Sequence, residues 1–130
     1  MNSSSVVSFA DPDLHTELDR CSEEALDALD FGVIGIDADT TVRRYNSFES
    51  KAAGLSKQRV LGQPLFTVVA PCMNNFMVAQ RFDDALASGE ALDATVDYVL
   101  TLRMRPVKVQ LRLLASPTAA TRFVLVRRPA

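Results

Sequence analysis

Residues 31–45 read FGVIGIDADTTVRRY, two apolar-rich runs on either side of Asp37-Ala38-Asp39-Thr40. Phe31 to Asp37 has the content of a strand, and Thr41 to Tyr45 that of a returning one. Asp37, Asp39 and Thr40 can hydrogen-bond their own backbone in a tight turn, so the stretch predicts a β-hairpin.

Working outward, the chain changes direction often after Tyr45. NSFESKAAG predicts a short helix with Gly54 as its C-terminal cap, and SKQRVLG another, capped by Ser56 and ended by Gly62. From Asn75 to Ser88 the period lengthens to that of a helix, with Phe76, Ala79, Phe82, Ala85 and Leu86 as its buried stripe and Gly89 as its stop. The last forty residues alternate. Val96, Tyr98, Leu100, Leu102 and Met104 share one parity, and so do Val107, Val109, Leu111 and Leu113. Period two marks strands with one buried face, and RFVLVRR after the turn SPTAAT is the final strand. Upstream, Asp11-Pro12 predicts a helix start with Leu14, Leu18 and Cys21 on one stripe, and Ser22-Glu23-Glu24 caps a second helix carrying Ala25, Leu26 and Leu29.

The predicted order is helices, two strands, short helices, a longer helix and three antiparallel strands. One antiparallel five-stranded sheet with helices packed on it is an α+β domain. The two-plus-three division with an irregular helical middle resembles the PAS fold. Residues 1–30 form an N-terminal helical cap and residues 31–130 the core of a single domain.

Composition narrows the function classes. In 130 residues, 48% are hydrophobic and 23% charged, a globular composition with enough chain for one core. Net charge is -2 and the pI about 5.3, which favours no nucleic-acid partner. The arginines between Arg103 and Arg112 and between Arg122 and Arg128 interleave with apolar residues and are read as a solvated sheet face. Cys21 and Cys72 give no disulfide framework, and His15 lacks the cysteine spacing of a metal site. No apolar run approaches the ~20 residues of a membrane span, and no signal peptide is recognisable, so the expected location is the cytoplasm.

Three residues stand out by chemistry. Tyr45 ends a strand, Glu49 follows at helical i, i+4 spacing, and Cys72 follows Pro71 at an expected helix start, where a thiol is more easily ionised. Each has a plainer role alone: packed aromatic, solvated glutamate, small buried hydrophobe.

Together with their surroundings they resemble the photoactive yellow protein family, PAS-fold blue-light photoreceptors. The resemblance runs through FADPDLHTELDRC, LDFGVIGID, YNSFES, RVLGQPLFTVVAPC, LASGE and RPVKVQL, without a gap from Phe9 to Gly89. It implies 4-hydroxycinnamic acid (p-coumaric acid) held as a thioester on Cys72. Tyr45 and Glu49 would bond its phenolic oxygen, and the Cys72 backbone amide its thioester carbonyl. A phenolate in an apolar cavity needs such bonds, and a glutamate donates one only when protonated, a state that burial beside an anion favours. Light would drive trans–cis isomerisation, then proton transfer from Glu49, then loosening of the segment bearing Leu14, Leu18 and Cys21 toward a downstream signalling protein.

Other family pocket positions fall on Phe66, Val69, Ala70, Leu100 and Met104, with one extra residue between Gly89 and Pro106. Two positions depart from the family. Ala53 replaces a threonine whose hydroxyl supports the tyrosine, and Leu55 replaces an arginine that covers the chromophore, a role leucine fills only by packing, with Arg103 and Arg105 as the other candidates for that cover. Leu100 stands where phenylalanine is common. The resemblance implies no catalysis, no membrane or nucleic-acid partner, and a monomer or weak dimer. The competing readings are a chromophore-free PAS-like module binding a small ligand or protein, and a thiol redox sensor using Cys72.

Overall fold

The computed structural model describes residues 7–101 and 106–129. Two short helices come first, α1 (Leu14–Arg20) and α2 (Glu23–Asp27), followed by the hairpin strands β1 (Gly32–Ile36) and β2 (Val42–Tyr45). Helices α3 (Ser47–Ala53) and α4 (Lys57–Val60) lead to a π-helical turn over Leu65–Val69 and a 3-10 turn over Pro71–Met73. Helix α5 (Ala79–Ser88) then precedes β3 (Leu92–Leu100), β4 (Val107–Ala115) and β5 (Arg122–Arg127). All pairings are antiparallel, in the order β2-β1-β5-β4-β3. The last strand thus enters beside the first, and the hairpin forms one edge of the sheet.

Local chemistry sets most boundaries as the sequence predicts. Asp37 Oδ1 accepts from the amides of Asp39 and Thr41, closing the hairpin turn, and Thr40 takes the left-handed conformation there. Ser22 and Ser56 each accept a backbone N–H at the start of their helices. Gly54 and Gly89 end α3 and α5 with φ of 73° and 70°, where a Cβ would be strained.

Three expectations need correction. Helix α1 starts at Leu14 rather than at Pro12, because Asp11 spends its carboxylate on an Asx turn to the Asp13 amide. Helix α5 starts at Ala79 rather than Asn75, because Asn75 Oδ1 accepts from the amides of Met77 and Val78 and holds a turn. Phe76 lies in that turn, 79% exposed, and Leu86 is also exposed; only Ala79, Phe82 and Ala85 of the expected stripe pack inward. The arginines of the last strands form a solvated face only in part: Arg127 is exposed. Arg112 and Arg122 are buried, because the sheet carries a core on both sides.

Strand parity distributes those two cores. Ile34, Ile36, Leu111, Leu113, Val124 and Val126 face α5 and the helical middle. Val33, Leu114, Phe123 and Leu125 face Phe9, Leu14, Leu18 and Leu26 of the N-terminal segment. Helices this short have little stability alone, so tertiary contact holds the segment in place. Leu14, Leu18 and Leu26 are fully buried, worth at most about 1.5–3 kcal/mol each. Polar ties supply register. Arg112 Nη1 donates to the carbonyls of Phe9 and Asp11, and Arg44 donates to those of Leu18 and Cys21.

Candidate functional site

Tyr45 ends β2 with its ring in the first core, beside Phe66, Val69, Ala70 and Leu100; Cys72 and Leu55 pack against the same cluster. Nine of the ten residues singled out from the sequence are described. Seven of them belong to or pack on this one cluster, and Ala53 is buried at the end of α3. Glu49 lies at the Tyr45 end. Met104, Arg103 and Arg105 lie outside the described residues.

The Tyr45 side is set by α3. Asn46 caps that helix: its Oδ1 accepts from the amides of Glu49 and Val33, and its Nδ2 donates to the carbonyls of Leu26 and Phe31. All four bonds of this buried amide are therefore made, and they fix α3 to β1 and to the end of the N-terminal segment at once. The helix then delivers Glu49 directly over Gly32. A Cβ at position 32 would lie 2.0 Å from Glu49 Oε1 and 3.2 Å from Glu49 Cβ, so only glycine lets the carboxylate lie there.

Tyr45 and Glu49 are each 1% exposed. Among the described residues the Tyr45 hydroxyl has no hydrogen-bond partner, an uncommon condition for a buried phenol. Ala53 brings no side-chain hydroxyl to it. Burial foremost, then the neighbouring Glu49 charge, pushes the Tyr45 phenol above its ordinary range, with Arg128 opposing. An O–H that keeps its proton and lacks an acceptor is a donor in waiting.

Glu49 has a partner that sequence reading missed. Arg128, just beyond β5, donates Nη1 to Oε1 at 2.7 Å and Nη2 to Oε2 at 3.0 Å. Burial pushes the Glu49 carboxyl up, and the Arg128 bonds pull it back part of the way. The only local signal was the doubled arginine at the end of RFVLVRR; nothing in it points across the 79 positions to Glu49.

At the other end, the π-turn keeps Leu65, Phe66 and Val69 inward while Thr67 and Val68 face out. Cys72 follows in a three-residue 3-10 turn, not at the start of a longer helix as expected, so no helix macrodipole acts on it. Its carbonyl accepts from the Tyr98 hydroxyl at 2.5 Å and from Asn75 Nδ2 at 3.2 Å. Its amide N–H makes no hydrogen bond among the described residues and is free to donate. Cys72 is partly accessible and makes no disulfide, and no group of histidines, cysteines or carboxylates could hold a metal among the described residues. No described helix is long and apolar enough to cross a membrane.

Tyr45 and Cys72 thus belong to one apolar cluster, the thiol partly accessible and the phenol without a hydrogen-bond partner among the described residues. The PAS-fold family profile covers residues 22–127. The photoactive yellow protein of Halochromatium salexigens is 30% identical over 95% of this chain and 98% of its own length; that of Rhodothalassium salexigens is 29% identical over the same shares. The chain belongs to the photoactive yellow protein family. Among solved structures, the photoactive yellow protein domain of the sensor histidine kinase Ppr from Rhodospirillum centenum superposes with a TM-score of 0.80 at 36% identity, covering 87% of this chain and 98% of that domain. The five-stranded antiparallel α+β architecture is thus the PAS fold of that family.

Proposed function

We propose that this chain is a light-sensing PAS module that carries 4-hydroxycinnamic acid as a thioester on Cys72. The observation that carries the reading is the buried Tyr45 hydroxyl, without an acceptor among the described residues, in the same apolar cluster as the free thiol of Cys72. Such an arrangement fits an elongated apolar group with a phenolic oxygen at its tip. When bound, that group supplies visible absorption and trans–cis isomerisation.

The chain's own residues supply the rest. Tyr45 donates its O–H to the phenolic oxygen, a bond roughly twice as strong to an ionised acceptor as to a neutral one. Glu49 donates a second bond in its acid form, and burial raises its affinity for the proton it would give up. The Cys72 amide donates to the acyl oxygen, while Tyr98 and Asn75 hold the Cys72 carbonyl so that this amide keeps its aim. Phe66, Val69, Ala70, Leu100 and Leu55 exclude water along the length.

The output follows from how Glu49 is mounted. Any change in its charge acts on α3, and Asn46 ties α3 to the carbonyls of Leu26 and Phe31 at the end of the N-terminal segment. Loosening of residues 7–30 from the sheet is the signal passed to a downstream protein in the cytoplasm.

Attachment is tested by incubating the purified protein with an activated ester of 4-hydroxycinnamic acid and weighing it intact. The expected result is one acyl group per chain, released by neutral hydroxylamine and absent from Cys72→Ser. Equal labelling of Cys72→Ser would contradict the assignment.

A further inference from the structure

Among the described residues Glu49 is the one buried carboxylate, and the guanidinium docked on it has no part in the proposed chromophore chemistry. The Arg128 side chain is 16% exposed, so it reaches Glu49 from the protein edge rather than from within the core. The pair is bidentate, which needs both carboxylate oxygens as acceptors and therefore the ionised form of Glu49. The acid form, by contrast, is what a donor to a phenolic oxygen must be.

We infer that Arg128 is a positioning residue that decides the form of Glu49: a carboxylate while the guanidinium is docked, an acid once it withdraws. This rests on the proposed chromophore reading for its purpose, though the pairing itself belongs to the bare chain. The proton balance is simple. Docked, the Tyr45–Glu49 pair offers one donated proton, from Tyr45; undocked, Glu49 takes a proton from solvent and the pair offers two. Placing an anionic oxygen beside Glu49 favours the acid form, because two adjacent buried anions repel and the acid instead donates a second hydrogen bond to the phenolic oxygen, and an acid no longer offers the guanidinium two acceptors. The edge location of Arg128 gives it water to withdraw into, which a core arginine would not have.

The groups facing the Glu49 carboxyl bear this out as a local device. β2 presents the Tyr45 hydroxyl, β1 presents only Gly32, and the chain beyond β5 presents Arg128. From α2, the Asp27 carboxylate turns instead to the Ser47 amide and Lys57, so it does not compete for Arg128. Among the described residues no other cation bonds to Glu49.

The test is a pH titration of the Glu49 side-chain carboxyl by carbon-13 NMR on the full chain before chromophore is added, with Glu49→Gln assigning the signal. Arg128→Gln moves the midpoint up by roughly 1–3 pH units, a 10- to 1,000-fold gain in proton affinity. Arg128→Lys, a point charge without the fork, falls between the two. Equal midpoints in wild type and Arg128→Gln overturn the inference. Should Arg128→Gln fold poorly, nitrogen-15 spectra of the wild-type guanidinium groups decide. A slowed, resolved Arg128 signal that sharpens into the averaged arginine envelope on acidification supports docking, and an averaged signal at every pH refutes it. Failure of the chromophore to attach would leave these titrations unchanged, so the two ideas fail separately.

Discussion

Replacing Gly32 by alanine adds one methyl group at the point where Glu49 rests on β1. The new Cβ would meet Glu49 Oε1 at 2.0 Å, Cδ at 3.0 Å and Cβ at 3.2 Å, so the whole side chain must shift, not only its tip. That shift drags the carboxylate from Arg128 or forces both to move. Overpacking of this kind costs about 1–3 kcal/mol, and stranding one member of a buried ion pair about 3–5 kcal/mol. Because Arg128 can follow into water, the expected loss is about 2–3 kcal/mol, read as a lower midpoint in urea with an unchanged slope. A double-mutant cycle isolates the cause. In Glu49→Ala the space over residue 32 is open, and Gly32→Ala becomes neutral or stabilising by about 0.4–1 kcal/mol through the unfolded chain. A coupling energy of at least ~1.5 kcal/mol between the two positions is therefore expected, well above the scatter of independent sites. A Gly32→Ala protein as stable as wild type, with no coupling to Glu49→Ala, would refute the claim that Gly32 exists to seat the carboxylate.

Further expectations concern the two ends of the site and the N-terminal tie. Tyr45→Phe removes a buried hydroxyl with no partner among the described residues, so the chromophore-free protein gains up to ~1 kcal/mol in urea denaturation while the acylated protein loses stability relative to acylated wild type; a loss in both forms would show that the hydroxyl already has an acceptor. Asn46→Ala deletes four buried hydrogen bonds and is expected to cost about 3 kcal/mol or more, with hydrogen exchange rising first between Leu26 and Val33; uniform, unaltered protection would contradict that tie. Asp93 is held below the ordinary carboxylate range chiefly by hydrogen bonds from Arg112, which also grips the Phe9 and Asp11 carbonyls. A lowered folded-state pKa contributes stability above the unfolded value of about 4 and loses it as pH falls through the lower folded value. Thermal midpoints should therefore fall more steeply in wild type than in Asp93→Asn below about pH 4; parallel profiles would rule the pairing out.

The fold was legible where one residue type had one local job. Asp37 closed the hairpin, Ser22 and Ser56 capped, Gly54 and Gly89 stopped helices, and strict alternation marked β3 and the first half of β4. The second core was written more faintly. Leu113-Leu114 breaks the alternation of β4, and Phe123 to Val126 is continuously apolar, the pattern of strands covered on both faces. Once that cover is in place, Arg112 and Arg122 have to be buried. The start of α5 was misread because Asn75 fits either a helix or a turn, and its backbone partners in the turn are visible only in three dimensions.

Of the candidate site, the residues linked by local spacing were legible as candidates, Tyr45 with Glu49 and Phe66, Val69 and Ala70 with Cys72. Arg128 was not, because an ion pair across 79 positions depends on β5 lying beside β1, a consequence of topology. Nothing within FGVIGID marks Gly32, because the carboxylate above it arrives on α3.

The most direct test of the account is the absorption spectrum of the protein after reaction with activated 4-hydroxycinnamic acid, taken in darkness, during blue illumination and after return to darkness. The account predicts a visible band that requires Cys72, shifts in Tyr45→Phe and Glu49→Gln, fades in light and recovers in the dark. A protein that carries the acyl group on Cys72 yet shows no visible band, or a band indifferent to light and to both substitutions, would contradict it.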